Sequence, residues 1–217
     1  MLNFTKNLAG KFIATITKDN SPGTETPEAA VAKPGSFTDP RDGRTYKTVK
    51  IGSQTWMAEN LNYHAEGSKC YDNKPENGEK YGRLYDWNTA MKSCPSGWHL
   101  PAKNEWEALG KAVGGDETAG TKLKAKSGWH GDGNGTDKYG FSALPGGYGY
   151  SGGNFSDAGE GGLWWSATED NSVGAYYRGM YYRGEDAYWD VNYKSNLFSV
   201  RCVRDETSYF KRGKNET

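Results

Sequence analysis

The chain has 217 residues, with 27 basic and 27 acidic side chains and a formal net charge of zero. This length suits one domain with short appendages. The sequence lacks the basic stripe of a nucleic-acid-binding protein, and no apolar run reaches the roughly 18 residues of a membrane helix. With 8 Trp, 15 Tyr, 7 Phe and 30 Gly, we expect an aromatic core and many tight turns.

The amino-terminal region, residues 1–36, differs in composition from the rest. It lacks the continuous apolar stretch and the small-residue cleavage site of a signal peptide. Its β-branched segment 11–17 predicts a strand, and the proline-containing segment 18–36 predicts a linker. We therefore assign a main domain to residues 37–205, followed by a tail at 206–217.

In the main domain, alternating apolar residues predict strands at 44–51 and 54–61. Apolar side chains at helical spacing predict helices at 81–92 and 102–113. Residues 114–163 are dominated by Gly, Asp, Asn and Ser, which predicts a long loop region. Long loops in compact domains are commonly functional.

Strand patterns return at 174–183, 187–194 and 197–204. In the closing strand, alternate residues, including Phe198 and Cys202, form an apolar face that we expect to be buried. The order of strands, two helices, loops and a closing sheet predicts an α+β fold.

The segment 176–196 is the strongest candidate for a binding site, because Tyr, Arg and Trp dominate binding hot spots. Tyr with Asn also supports adaptable contacts. Within it, alternation predicts one exposed face formed by Tyr188, Asp190, Asn192 and Lys194. The candidate ligand-binding residues are Tyr176, Arg178, Tyr182, Arg183, Tyr188, Trp189, Asp190, Asn192 and Tyr193. The alternative is a Tyr-rich sheet whose rings complete the core, and alternating faces allow both roles at once.

A second candidate site is an oxygen-rich loop containing Asp132, Asn134 and Asp137, which are side chains of the kind that bind calcium. The loop does not match an EF-hand, because the sixth position is Asp137 where Gly is required and the twelfth is Ala143 where Glu is required. We favour a turn held by Asx hydrogen bonds and keep calcium as the alternative.

Two further kinds of site are weakly supported. Exposed rings of Trp98, Trp164 and Trp165 would stack on sugars, but core packing is the favoured interpretation. No CxxC motif indicates zinc, and the sequence does not place any pair of carboxylates at the separation that a glycosidase requires. We therefore expect a protein that is not an enzyme.

Several ordered motifs resemble the Fibrobacter succinogenes major paralogous domain family. The matching segments are FTDPRDGRTYKTVKIGSQTWMAENLNY, YGRLYDWNTAM, CPSGWHLPAKNEWEAL, GNGTDKYGFSALPGG, WWSATE, AYYRGMYY and FSVRCVRD. The resemblance spans residues 37–205. It implies a C-type-lectin-like fold of the branch that includes formylglycine-generating enzyme, in an exported bacterial surface protein or lipoprotein. The C-terminal half is also similar to variable ligand-binding proteins diversified by retroelements.

The resemblance also bears on the three cysteines. It implies a disulfide between Cys94 and Cys202, with two buried free thiols as the alternative. Family members often carry a second Cys after the one matching Cys70. Gly78 stands at that place here, so we expect Cys70 to be unpaired and its loop to be looser. Leu197 replaces a Gly that is common in the family, which calls the geometry of the turn before the last strand into question.

These features predict an exported, surface-displayed binding or adhesion module that recognises a glycan or a surface protein. The alternative is an assembly subunit that pairs through the strand at 11–17, and a glycan-processing enzyme is a distant third. Apart from the calcium alternative we expect no cofactor, and we expect no nucleic-acid partner and no transmembrane segment.

Overall fold

The computed structural model describes residues 2–6, 12–16 and 34–206. The first two stretches are strands β1 (Leu2–Lys6) and β2 (Phe12–Ile16), which pair antiparallel. The strand predicted at 11–17 is therefore confirmed. Most of the predicted linker and of the tail lies outside the described residues.

Residues 34–206 fold as a mixed α+β domain, in agreement with the predicted class. The helices in this range are α1 (Pro75–Tyr81), α2 (Trp87–Ser93), α3 (Lys103–Ala112) and α4 (Asp116–Leu123). Its strands are β3 (Gly35–Thr38), β4 (Thr45–Ile51), β5 (Gln54–Met57), β6 (Leu84–Tyr85), β7 (Trp98–His99), β8 (Gly146–Gly149), β9 (Phe155–Ala158), β10 (Gly161–Glu169), β11 (Gly174–Tyr181), β12 (Tyr188–Tyr193), β13 (Phe198–Ser199) and β14 (Val203–Arg204).

The strands form two mainly antiparallel sheets. One has the order β3-β4-β5-β14-β7. The other has the order β12-β11-β10-β13-β6, with β8 also paired to β10 and β9 paired to β8. The hydrophobic alternation of β4 buries Tyr46 and Thr48 and exposes Lys47, as a half-buried strand should.

The first predicted helix, 81–92, is wrong in its boundaries. α1 ends at Tyr81, because the φ of +80° at the following Gly82 takes the chain out of the helix. The chain then runs extended as β6. Asp86 caps α2 by accepting a hydrogen bond from the Thr89 amide at 3.1 Å. The helix predicted at 102–113 is confirmed as α3.

Residues 114–163 are not the long loop region that their composition predicts. They contain α4, β8, β9 and the start of β10. A Cβ at Gly120 would lie 2.2 Å from the Asp186 carbonyl oxygen, and one at Gly147 would lie 2.4 Å from that of Ser156. Glycine is needed here because ordered elements pack closely against backbone.

Strand β10 is covered on both faces, and its adjacent tryptophans enter two different parts of the core. Trp164 lies 6.4 Å from Trp106 between ring centroids. Trp165 stacks on Phe198 at 4.3 Å. With Trp98 also buried, the core-packing interpretation of these tryptophans is confirmed.

The closing segment, 197–204, joins the two sheets. Its residues form β13 in one sheet and β14 in the other. Phe198, Val200 and Cys202 are fully buried, as their alternation predicts. Cys202 is bonded to Cys94 with an S–S distance of 2.05 Å. This confirms the disulfide, which ties the end of α2 to the closing segment.

Arg201, in the closing segment, is fully buried. Its Nε and Nη2 donate to Asn60 Oδ1 at 3.1 and 2.7 Å, and its Nη1 donates to the Phe141 carbonyl. Asn60 Oδ1 also accepts from Trp164 Nε1 at 2.8 Å, and Asn60 Nδ2 donates to the Tyr81 carbonyl at 2.8 Å. Burial lowers the pKa of Arg201 to about 9. Neutral groups thus solvate this cation.

Cys70 is unpaired and half-buried, as expected. Its loop is held by Arg83, which donates to the Ser68 carbonyl at 2.8 Å and to Cys70 Sγ at 3.3 Å. A Cβ at Gly78 would lie 3.6 Å from Cys70 Cβ and 2.5 Å from its Sγ. Bonded cysteines have Cβ atoms roughly 3.5–4.5 Å apart, so position 78 has nearly the geometry of a disulfide partner.

We expect Asn60→Ala to lower the free energy of unfolding by about 3–5 kcal/mol, because Arg201, Trp164 Nε1 and the Tyr81 carbonyl each lose a buried partner. Urea unfolding followed by tryptophan fluorescence measures the change. Asn62→Ala is the matched control, since the Asn62 amide makes an exposed hydrogen bond of 3.3 Å. Its effect should stay within about 0.5 kcal/mol. Equal losses in both variants would contradict the role given to Asn60.

We expect Gly78→Cys to form a disulfide with Cys70 and to stabilise the fold by about 2–3 kcal/mol in the chain-entropy treatment of a short loop. Thiol titration should show the loss of the free thiol, and calorimetry should show a higher Tm. Gly78→Ser is the control, because it adds a similar side chain that cannot bond. A Gly78→Cys variant that keeps free thiols and melts like the Ser variant would refute the proposed geometry.

Candidate functional site

The predicted ligand residues are spread over both faces and the edge of β11 and β12. Arg178 is buried, and its guanidinium pairs with the Asp116 carboxylate. On the same face, the rings of Tyr176 and Trp189 lie 6.4 Å apart. The Lys103 ammonium lies 4.6 Å from the Tyr176 centroid and 5.5 Å from that of Trp189. Arg178 therefore supports the sheet, and cations already cover both rings.

The face of β12 that alternation predicts to be exposed is only partly so: Asp190 is exposed, whereas Tyr188 and Asn192 are half-buried. Tyr188 packs against the core cluster of Tyr177, with ring centroids 6.2 Å apart, and burial raises the pKa of both hydroxyls. Lys194 Nζ pairs with Glu169 Oε1 at 2.7 Å, and its side chain is largely buried. The prediction of an exposed face fails for Tyr188 and Lys194, because β12 packs on both of its sides.

β12 is also the edge strand of its sheet. Its register with β11 points the amides of Val191 and Tyr193 away from the sheet. The Asp190 carboxylate accepts from the Val191 amide at 2.7 Å, and Asn192 Oδ1 accepts from the Tyr193 amide at 2.8 Å. Two side chains predicted to contact a ligand thus cap the exposed donors of the edge, which blocks pairing with another strand.

Tyr182 and Arg183 belong to a separate surface cluster. The Tyr182 ring lies 5.3 Å from that of His130, and the Arg183 guanidinium lies 4.9 Å from the Tyr182 centroid. Next to them, Tyr181 donates to Glu160 at 2.8 Å, and this hydrogen bond raises the pKa of Tyr181 to about 12. The rings of this cluster therefore already contact other side chains of the protein.

The oxygen-rich loop forms hydrogen-bonded turns. Asn134 Oδ1 accepts from the Trp129 amide at 3.1 Å, and the Asp137 carboxylate accepts from the Ser142 amide and hydroxyl at 2.7 Å each. Asp132 is exposed. In the part of the chain that the structure describes, no group of three or more His, Cys, Asp or Glu is placed to hold a metal ion. Both of these side-chain-to-backbone bonds span five residues, so they hold the loop in place but are not the Asx turns that we expected, which span two residues.

An open groove of about 750 Å³ lies beside the end of β12. Residues from 67–73, 86–88, 150–155, 172–173 and 193–197 line it. We call it the end groove. Of the predicted ligand residues, Tyr193 lines this groove.

Exposed apolar side chains concentrate at the end groove. Among the described residues, the exposed large hydrophobic side chains are Met91, Tyr150, Val173 and Tyr193, with 43%, 43%, 60% and 66% of their surface exposed. All but Met91 line the groove. Apolar surface that gathers at one concave place marks an interaction site better than scattered exposure does.

The ring of Tyr150 is held in place. Its backbone closes a tight turn, with the Gly153 amide donating to the Tyr150 carbonyl at 2.9 Å and the Tyr150 amide donating to the Asn154 carbonyl at 2.8 Å. Its hydroxyl shares a hydrogen bond of 2.7 Å with that of Tyr148. Burial, with this hydrogen bond, raises the pKa of Tyr148 to about 12. The hydrogen bond and the turn together position the Tyr150 ring before a ligand arrives.

The turn beside Tyr193 is well formed despite the departure at Leu197. The Asn196 amide donates to the Tyr193 carbonyl at 2.9 Å, and Asn196 Nδ2 donates to Asn192 Oδ1 at 2.7 Å. Leu197 pairs with Gly149 through two backbone hydrogen bonds of 2.7 and 2.9 Å. Leu197 also lines the end groove. The larger side chain is mostly buried, with 9% of its surface exposed, and it packs next to Gly149.

Two charged groups that line the groove are committed to internal contacts. Lys194 is paired with Glu169 and also donates to the Asn171 carbonyl at 2.9 Å. The Asp86 carboxylate accepts from the Thr89 amide at 3.1 Å and from its hydroxyl at 2.6 Å. Both side chains fix the groove walls.

Sequence reasoning found Tyr193, which lies in the Tyr-rich segment 176–196. It missed Val173 and the walls at 67–73 and 86–88. The run GYGYSGG at 147–153, in which Tyr alternates with Gly, could have indicated that Tyr150 belongs to the site. Nothing in the local sequence indicates that the other walls meet it.

We expect the double variant Asp190→Val, Asn192→Val to self-associate, because it uncaps the outward amides of the edge strand and makes that strand more β-prone. Light scattering after gel filtration should show a mass that rises with concentration. Asp132→Val with Asn104→Val is the matched control, since both residues are exposed and lie off the edge. If the mass of the edge variant does not change with concentration, the side chains of Asp190 and Asn192 are not needed to prevent self-association.

Comparison with known proteins places the chain in a family. No curated protein and no solved structure matches it significantly. Among the described residues, no helix combines the length and apolar character needed to cross a membrane. The profile of the Fibrobacter succinogenes major domain matches residues 49–204. Because this match spans most of the sequence, the chain belongs to the Fibrobacter succinogenes major domain family.

Proposed function

We propose that this chain is an exported cell-surface binding module with a C-type-lectin-like fold, and that it holds its ligand in the end groove. The observation that carries the proposal is the concentration of exposed Tyr150, Val173 and Tyr193 around one groove. The groove's volume of about 750 Å³ lies within the range of roughly 300–1,000 Å³ that is usual for ligand sites.

The disulfide and the closing segment support the fold and the location in this proposal. Cys94 and Cys202 join a helix to the segment that links the two sheets, which is the arrangement the family resemblance implies. Disulfides persist in oxidising compartments such as the bacterial cell surface. A fold closed by such a bond suits exposure outside the cell.

The chemistry of the groove favours binding over catalysis. A general acid or base needs a titratable group that is free to reach the substrate. The Asp86 carboxylate caps α2, and the Lys194 ammonium is paired with Glu169. The exposed tyrosines offer flat rings with a hydroxyl at the tip, which suit recognition.

An assembly role is the second candidate, and the hairpin of β1 and β2 favours it. Within the described residues these strands pair only with each other. A two-stranded hairpin is marginally stable alone and gains stability from a partner strand. Deleting residues 1–20 separates the two functions, because loss of assembly with binding intact supports this second role.

The test of the binding function is a screen of immobilised glycans and bacterial and host surface proteins against three forms of the chain. These are the unchanged chain, Tyr150→Ala with Tyr193→Ala, and Tyr176→Ala with Tyr182→Ala as the matched control. We expect the first pair of substitutions to weaken binding at least tenfold, because it removes the exposed rings of the groove. The control should bind within about twofold of the unchanged chain.

The same screen is repeated in the presence of a calcium chelator. We expect equal binding with and without chelator, because Asn134 and Asp137 already hold backbone turns.

If the control pair abolishes binding and the groove pair does not, the ligand lies on the sheet and the proposed site is wrong. If the unchanged chain binds nothing on the array, the assembly role becomes the leading proposal.

A further inference from the structure

A second depression adjoins the end groove. It has a volume of about 370 Å³ and shares Val173 and Tyr193 with the groove. Its other lining includes Val191 and Asn192 of the edge strand. Tyr193, with 66% of its surface exposed, therefore stands between two concave spaces. A ligand that lies on this ring and continues in both directions enters both depressions.

The polar groups that line these depressions include amides with free hydrogen-bonding capacity. Within residues 34–206, the side chains of Asn73 and Asn88 make no hydrogen bond, and both are exposed in the groove. Asn192 uses its Oδ1 internally, which leaves its Nδ2 available in the second depression. An amide donates and accepts at adjacent positions, which matches the neighbouring hydroxyls of a sugar.

The charges of the site favour a neutral occupant. Lys194 is paired with Glu169, and Asp86 is engaged with Thr89. Among the described charged residues that line the two depressions, this leaves the exposed Lys69 without an ion pair. A polyanion requires several uncommitted cations along its path, and the site does not supply them.

The extent of the apolar surface favours a glycan over a protein surface. Stable protein interfaces bury about 800 Å² per partner around an apolar centre. Here the exposed large apolar side chains are Tyr150, Val173 and Tyr193, and Gly67 and Gly153 line the same groove. Exposed flat rings among small residues and free amides match the size and polarity of single sugar rings.

We propose that the end groove and the second depression together bind the interior of an extended neutral glycan. One sugar ring stacks on Tyr193, and the units on either side occupy the two depressions. This inference rests on the proposed binding function and names the ligand class of the same site. Because the site binds sugar units in the interior of the glycan, the affinity should increase with the number of units.

The test uses calorimetric titration with neutral oligosaccharides of one to six units, in β-1,4-linked glucose, mannose and xylose series and an α-1,4-linked glucose series. We expect affinity for at least one series to rise at least tenfold from one unit to four. Hexagalacturonate should bind no more tightly than the matching neutral hexamer. Tyr193→Phe keeps the ring and should keep this length dependence, whereas Tyr193→Ala should abolish it.

The outcomes separate this inference from the broader proposal. If a surface protein binds through Tyr150 and Tyr193 while every neutral series fails, the groove is a binding site and the glycan inference is wrong. The inference is also wrong if single sugars bind as tightly as hexamers, or if Tyr193→Ala binds like the unchanged chain. A preference for hexagalacturonate would assign the site to an acidic glycan instead.

Discussion

The buried guanidinium of Arg201 is the constraint around which the domain is assembled. Its donors are met by Asn60 Oδ1 and by the Phe141 carbonyl, so the segment after β5, the loop before β8 and the closing segment must come together at one point. A cation in this environment is costly unless every donor is satisfied. The same asparagine accepts from Trp164 of β10. The two sheets are thereby joined by hydrogen bonds as well as by packing.

This scaffold places the end groove on loops that leave rigid strands. The turn at Tyr150 follows β8, the loop containing Val173 joins β10 to β11, and the turn after Tyr193 leads from β12 to β13. Loops carried by a fixed core commonly supply binding residues. Asp190 and Asn192 keep the neighbouring edge strand from pairing with other chains. The open end of the sheet therefore stays available while its edge is blocked.

The parts of this structure that follow from local periodicity could be predicted from the sequence. The alternation of Phe198, Val200 and Cys202 predicted their burial, but it did not predict that Ser199 and Arg201, on the other face, are buried as well. The helix at 81–92 was misplaced because Leu84, Trp87 and Met91 keep helical spacing although Leu84 lies in β6 and α2 begins only after Asp86. The glycines of 114–163 looked like loop residues because close packing and loops both select Gly. The groove was only partly predictable because its walls are distant in sequence and meet only in the folded chain.

The proposed binding function places recognition in the loops around Tyr150 and Tyr193 and not on the Tyr-rich sheet. Backbone amide spectra of the ¹⁵N-labelled chain, recorded during titration with the neutral hexasaccharides, distinguish these two locations. We expect chemical-shift changes confined to 67–73, 86–88, 150–155 and 171–173 and to the stretch 191–197. Shifts centred on Tyr176, Tyr182 and Trp189, or no shifts with any of these hexasaccharides, would contradict it.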